Sequence, residues 1–173
     1  MQDQSIYLHI TRGFAQRDHS FPPESKATVF VMSNILHPVS PDLLKTGVAA
    51  ITLDDIRWKY CNIKAIALLP NILLRQQAVD SGATEAILIR DGKITEGAAS
   101  NVFIVSDGTI KTPPKNQNLL PGITRDLVVE IALENNMPIA EVDITEKDFL
   151  SADEIWLTSS TKEILPVTSI NQQ

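Results

Sequence analysis

Residues 85–112 read EAILIRDGKITEGAASNVFIVSDGTIKT. Two Asp-Gly pairs, Asp91-Gly92 and Asp107-Gly108, each stand between apolar runs. Such a pair accepts positive φ at both central positions, which a two-residue hairpin turn requires. The stretch therefore predicts two β-hairpins, 85–90 with 93–96 and 101–106 with 109–112. Between them lie Gly97, Ala98, Ala99 and Ser100, small residues that let another group approach the backbone closely. Hairpins in this position argue against a purely parallel, doubly wound sheet.

Working outward, 47–53 reads as a buried strand and 71–81 as a helix stopped by Gly82. Downstream, 124–136 is an amphipathic helix, 139–144 a strand, and 154–158 a last strand. Thr145 with Asp148 reads as a capping box opening a short helix. Near the N-terminus, Ile6, Leu8 and Ile10 alternate with Tyr7, His9 and Thr11, the period of a half-buried strand. A second strand is expected at 28–36. Pro38 and Pro41 bracket a linker, which divides the chain into 1–39 and 40–173. The fold class expected is mixed α/β.

The composition narrows the function classes. The 173 residues are 43% hydrophobic, which argues against disorder. Net charge is −6 with scattered Lys and Arg, so the chain carries no electrostatic footprint for nucleic acid or anionic lipid. No apolar run is long enough to cross a bilayer. The polar start, Met1 to Ser5, does not read as a signal peptide. Cys61 is the single cysteine, which fits a reducing cytoplasm, and no Cys/His cluster has zinc spacing.

Five features could carry chemistry. Lys64 is the only charge between Tyr60 and Leu74; it is either a snorkelling helix-start lysine or a buried amine suited to Schiff-base chemistry. Glu96 is either a surface carboxylate or, given the small residues after it, a partner that keeps an aromatic nitrogen protonated. In Pro121–Asp126, the helix start is either a plain N-cap at Thr124 or also a phosphate site. Ser159-Ser160-Thr161 is a turn or a second set of phosphate donors. Arg17 and His19 are surface decoration or a clamp for a carboxylate. Together these are the parts a pyridoxal-phosphate (PLP) enzyme acting on amino acids requires.

The segments YLHITRGFAQRDH (7–19), DIRWKYCNIKAIALLPN (55–71), TEGAASNVF (95–103), LPGITRD (120–126) and ADEIWLTSSTKEILPV (152–167) resemble the fold-type IV PLP enzymes, and within them the D-amino acid aminotransferases. The resemblance implies that Lys64 holds PLP as a Schiff base and shuttles the proton, and that Glu96 pairs with the pyridine nitrogen. It implies Leu120 on the cofactor ring, Ile123, Thr124 and Ser160 on the phosphate, and Ser100 and Asn101 lining the pocket. Arg17 and His19 match the loop that grips the substrate carboxylate across a homodimer interface, and this pair favours the D-amino acid enzymes. The implied reaction is transamination between a D-amino acid, of the D-alanine or D-glutamate type, and a 2-oxo acid. Branched-chain aminotransferases and 4-amino-4-deoxychorismate lyases share the scaffold and are the alternatives. The family's smaller domain begins upstream of the matched residues, so 1–39 is expected to be its last strands. An inactive fragment or association module is the reading from another class.

Overall fold

The computed structural model describes residues 2–173. The chain divides into two compact units, residues 1–38 and 39–173. The first is an antiparallel ribbon of β1 (Gln4–Thr11) and β2 (Thr28–Ile35), in register from Gln4 opposite Ile35 to Thr11 opposite Thr28. Ile6, Leu8 and Ile10 share one face with Val31 and Val29, while Tyr7 packs edge-on to Phe30 on the other. The alternation thus sets the pairing, but Ile6, Leu8 and Ile10 remain exposed, so the expected half-burial is not met within this unit.

The second unit opens on α1 (Pro41–Thr46), a short helix where the sequence reads as linker. Ser40 caps it by accepting from the Asp42 N–H at 3.2 Å, and Pro41 supplies a φ already suited to a first turn. The remaining elements are β3 (Val48–Asp54), α2 (Leu69–Asp80), β4 (Glu85–Arg90), β5 (Lys93–Gly97), β6 (Asn101–Ser106), β7 (Thr109–Thr112), α3 (Ile123–Glu134), β8 (Ile139–Glu141), α4 (Glu146–Leu150), β9 (Glu154–Ser159) and β10 (Glu163–Ile170). The strands form one eight-stranded sheet in the order β5-β4-β3-β10-β9-β6-β7-β8. Only β3–β4, β3–β10 and β7–β8 are parallel.

Both Asp-Gly turns form as expected, with φ of 52° and 73° at Asp91 and Gly92 and 50° and 70° at Asp107 and Gly108. After α2, Gly82 (φ 75°) lets the Ala83 N–H reach the Ala78 carbonyl at 2.8 Å and the Gly82 N–H reach Val79 at 2.9 Å, a Schellman ending. Asn136 does the same for α3. The Thr145–Asp148 capping box is present. β8 stops at Glu141 rather than 144 because its partner β7 runs into Pro113-Pro114, which cannot extend a ladder. The Ile94 N–H meets the Ile144 carbonyl at 2.9 Å, which ties the β5 edge to the chain leaving β8 and curls the sheet. Strand β10 was not read from sequence because Pro166 lies inside it.

Both faces of the sheet are covered, which is why β4 and β6 read as nearly continuous apolar runs. Inside the curl, Val48, Ile87, Ile94, Val102, Ile104, Leu157 and Leu165 pack with Ile144 and Phe149. Outside, Leu74 and Ala78 of α2 cover Ala86 and Leu88, and Ala132 of α3 covers Phe103 and Ile110. Phe149 is fully buried whereas its neighbour Leu150 is 54% exposed. Phe149→Ala is therefore expected to cost roughly 3–5 kcal/mol in urea unfolding, and Leu150→Ala about 0.5 kcal/mol or less.

Candidate active site

Glu96 is placed by an irregularity in the sheet. Ile87 faces Gly97 and Ile89 faces Ile94, so three steps along β5 match two along β4. A bulge of this kind re-aims side chains. Thr95 and Glu96 both join a buried charge cluster that the sequence reading did not assign. Arg57 grips Asp55 through Nε and Nη2, each at 2.9 Å, and its Nη1 pairs with Glu96 Oε1. Arg90 Nη2 lies 3.1 Å from Asp55, and the Thr95 hydroxyl donates to the same carboxylate at 3.0 Å. Glu96 Oε2 accepts from the Leu120 N–H at 3.0 Å and from Asn101 Nδ2 at 3.2 Å. Asn101 Nδ2 also donates to the Leu120 carbonyl at 2.8 Å.

The two carboxylates share one guanidinium unequally. Burial pushes Glu96 up to about 7, against the charge and hydrogen bond of Arg57 and the Leu120 N–H. Burial also works to raise Asp55, but the hydrogen bonds and charge of Arg57, with help from Arg90, hold it below its ordinary value. Arg57 is itself raised despite its burial, by Asp55 and Glu96 together. Asp55 has the bidentate contact and the second arginine; Glu96 has one arm of one arginine. Glu96 is thus a buried carboxyl that exchanges its proton near neutrality.

Two glycines permit close packing beside it. A Cβ on Gly122 would lie 2.1 Å from Asn101 Oδ1, and one on Gly97 would lie 2.2 Å from Ser100 Oγ. The small-residue segment is therefore needed for close approach, as its composition suggests. Gly122 also corrects one reading: it, not Thr124, is the N-cap of α3, and no side chain caps that end. A glycine has no side-chain oxygen to offer, and Thr124 already lies inside the helix, so the first-turn N–H groups have no side-chain cap.

Lys64 lies in the irregular segment before α2 and is exposed, so the buried amine of the sharper sequence reading is not what the structure shows. Its segment is tethered at both ends to the loops that border Glu96. On one side the Cys61 N–H donates to the Gln117 carbonyl at 2.8 Å, and on the other Asn71 Nδ2 donates to the Ala98 carbonyl at 2.8 Å. Leu120 and Asn101 meet Glu96, as described. Ser100 turns its hydroxyl to the buried Glu85 at 3.0 Å. Ile123 is exposed at the start of α3, and Ser160 is exposed in the turn from β9 to β10. Arg17 and His19 belong to the first unit, both exposed in the loop between β1 and β2. Arg12 lies within 3.5 Å of the Ser20 and Asp18 carbonyls of that loop and sits over the Phe21 ring.

Known proteins match this chain in sequence and fold. The model of the amino-transferase class IV family fits residues 2–170. The chain belongs to the class IV aminotransferases. Its architecture is that of the family's fold-type IV members. It is 41% identical over 176 residues to D-alanine aminotransferase of Bacillus licheniformis, covering 99% of this chain and 60% of that protein. It superposes on an aminotransferase from Brucella abortus, described as bound to the co-factor PLP, with a TM-score of 0.87, 25% identity, and coverage of 99% of this chain and 62% of the other. The Escherichia coli branched-chain amino acid aminotransferase gives a TM-score of 0.83 at 27% identity, with 96% and 57% coverage. The chain thus spans about three-fifths of the length of the curated relatives it matches.

Since Glu96 is raised in the folded chain from 4.5 to about 7, the folded state holds its proton more tightly than the unfolded state. Its contribution to stability is present below the lower value and is lost as pH rises through the upper one. Between those values stability is expected to fall by on the order of 3 kcal/mol, a slope that Glu96→Gln removes in urea titrations run across this range. Arg57→Met leaves Asp55 with Arg90 alone and Glu96 with no cation. It is expected to cost roughly 3–5 kcal/mol where Glu96 is ionised, and less where Glu96 is protonated, by the same titrations.

Proposed function

We propose that this chain forms the cofactor-bearing part of a PLP-dependent enzyme that exchanges an amino group between a D-amino acid and a 2-oxo acid. The observation that carries this reading is Glu96, a buried carboxyl fixed by three donors in a chain 41% identical to a D-alanine aminotransferase. The residues present suit the cofactor. Gly122 lets Asn101 close on the start of α3 where any Cβ would clash, that start offers N–H groups with no side-chain cap, and the Lys64 segment is tied to both bordering loops.

When bound, PLP supplies an aromatic electron sink that takes up the electrons left on breaking a Cα–H bond. Lys64 Nζ would attach the cofactor as a Schiff base and move the Cα proton. The Glu96 carboxylate would keep a proton on the ring nitrogen, with Arg57 holding the carboxylate in place. Leu120 would pack on the ring, with Ser100 and Asn101 beside it. The first-turn N–H groups at Ile123 and Thr124, the Thr124 hydroxyl and Ser160 would hold the phosphate. The Arg17 guanidinium and the His19 imidazole would grip the substrate carboxylate across a homodimer interface. Residues 1–39 would be the last strands of the smaller domain and 40–173 most of the PLP domain. The single cysteine supports a cytoplasmic location, and among the described residues no helix is long and apolar enough to cross a membrane.

Incubation with D- or L-alanine and 2-oxoglutarate is expected to yield pyruvate from the D-isomer alone. Pyruvate from the L-isomer alone would sink the D-specific assignment, and turnover of 4-amino-4-deoxychorismate without a 2-oxo acid would support the lyase. Borohydride reduction in the presence of PLP is expected to leave a mass adduct on Lys64; no adduct supports the inactive-fragment reading. Lys64→Ala is expected to lose the adduct and at least about a hundredfold in rate.

A further inference from the structure

Asp55 is a buried carboxylate that the function proposed above leaves without a role. Its side chain is fully buried. Its N–H donates to the Ile89 carbonyl at 2.7 Å, so the pairing of β3 with β4 fixes its place. What it holds is arginine. Its Oδ1 accepts from Arg57 Nε and its Oδ2 from Arg57 Nη2, each at 2.9 Å, and Arg90 Nη2 stands 3.1 Å from Oδ1. Arg90 in turn donates to the Arg57 carbonyl at 3.0 Å and to Asn118 Oδ1 at 2.9 Å. Arg57 Nη2 also reaches the Asn118 carbonyl at 3.0 Å. Only Nη1 is left to turn to Glu96.

A fold that needed only to neutralise Glu96 would aim two arms of the guanidinium at it, the stronger arrangement. Here the two-armed grip goes to Asp55, and the negative charge of Asp55 acts on Glu96 from the other side of Arg57. Burial raises Glu96 most, Arg57 lowers it, and the charge of Asp55 raises it again. The groups that touch Glu96 are Arg57 from the chain after β3, the Asn101 amide from β6 and the Leu120 N–H from the loop before α3. The other titratable groups around it are Asp55, Arg90 and the Cys61 thiol, whose own proton feels all four charges.

We propose that Asp55 is a positioning residue for Glu96: by claiming two arms of Arg57 it leaves Glu96 one, and so sets how firmly that carboxyl keeps its proton. The ring nitrogen that Glu96 would face then meets a carboxyl of tuned, rather than minimal, proton affinity. That consequence rests on the function proposed above; the action of Asp55 on Glu96 does not.

The test follows Glu96 by NMR of its labelled carboxyl carbon as pH is varied, in the ligand-free protein and its Asp55→Asn and Arg90→Met variants, with Glu96→Gln assigning the resonance. Asp55→Asn keeps the shape and one acceptor oxygen but removes the charge. Glu96 is then expected to titrate at least about one pH unit lower, because Arg57 is no longer offset. Arg90→Met removes a cation from beside Asp55, so Glu96 is expected to titrate about half a pH unit higher. A cluster that merely loosened would admit water to Glu96 and lower its midpoint in both variants. The proposal is overturned if Asp55→Asn leaves the midpoint in place or raises it, or if Arg90→Met does not raise it. Should Asp55→Asn fail to fold, Arg90→Met decides alone: a rise supports the proposal, and a fall or no change overturns it. Adding PLP to the wild type is expected to displace the midpoint, since a ring N–H would share the Glu96 oxygens. A midpoint that PLP leaves untouched defeats the cofactor reading alone, and the two variants still decide the action of Asp55.

Discussion

One guanidinium shared between two buried carboxylates constrains everything around the candidate site. Arg57 can satisfy Asp55 and Glu96 at once only if the chain leaving β3, the end of β4, the bulge in β5 and the loop through Asn118 and Leu120 converge at one point. Two arginines and two carboxylates then balance in charge, and nearly every donor has an acceptor. Removing Arg57 leaves Glu96 with no cation, so the geometry is held by the cost of breaking it rather than by net attraction. The apolar sheet supplies the stability; the polar cluster fixes where four segments meet.

This division explains what the sequence discloses. The hairpins were legible because Asp-Gly turns are local devices, and so were the Schellman-ended α2 and the Thr145 capping box. Strand β10 and helix α1 were hidden by their prolines. Pro166 argues against an inner strand, yet it sits next to a bulge where Val167 pairs with Val48 and Ser169 with Ala49, so the ladder is already irregular there. Pro41 reads as a breaker but opens a helix.

The site divides in the same way. Glu96 was found through its small neighbours, a backbone signal that survives in the sequence. Asp55, Arg57 and Arg90 carried no such signal, because charged residues read as solvated unless their partners are known, and Glu96 is 39 residues from Arg57. The only trace was the Asp-x-Arg spacing at the end of β3, which lets one carboxylate receive both Nε and Nη2 from two residues away. Lys64 was singled out by its isolation among apolar residues, but isolation in sequence does not imply burial. Its neighbours Ile63 and Ile66 are exposed along with it.

The remaining question is how side chains so far apart in sequence keep their places at the open side of the cluster. Much of the answer is missing atoms. Gly97 and Gly122 bring their backbones against Ser100 Oγ and Asn101 Oδ1, closer than any Cβ permits. Asn101 is consequently clamped: its amide nitrogen serves Glu96 and the Leu120 carbonyl, while its oxygen lies against the start of α3. An alanine at 122 would displace Asn101, which would release both Glu96 and the loop at Leu120. Glycine acts here through the volume it leaves empty rather than through backbone freedom, since φ at Gly122 is an ordinary −69°. Through Asn101, that one small residue couples the Glu96 carboxyl to the start of α3.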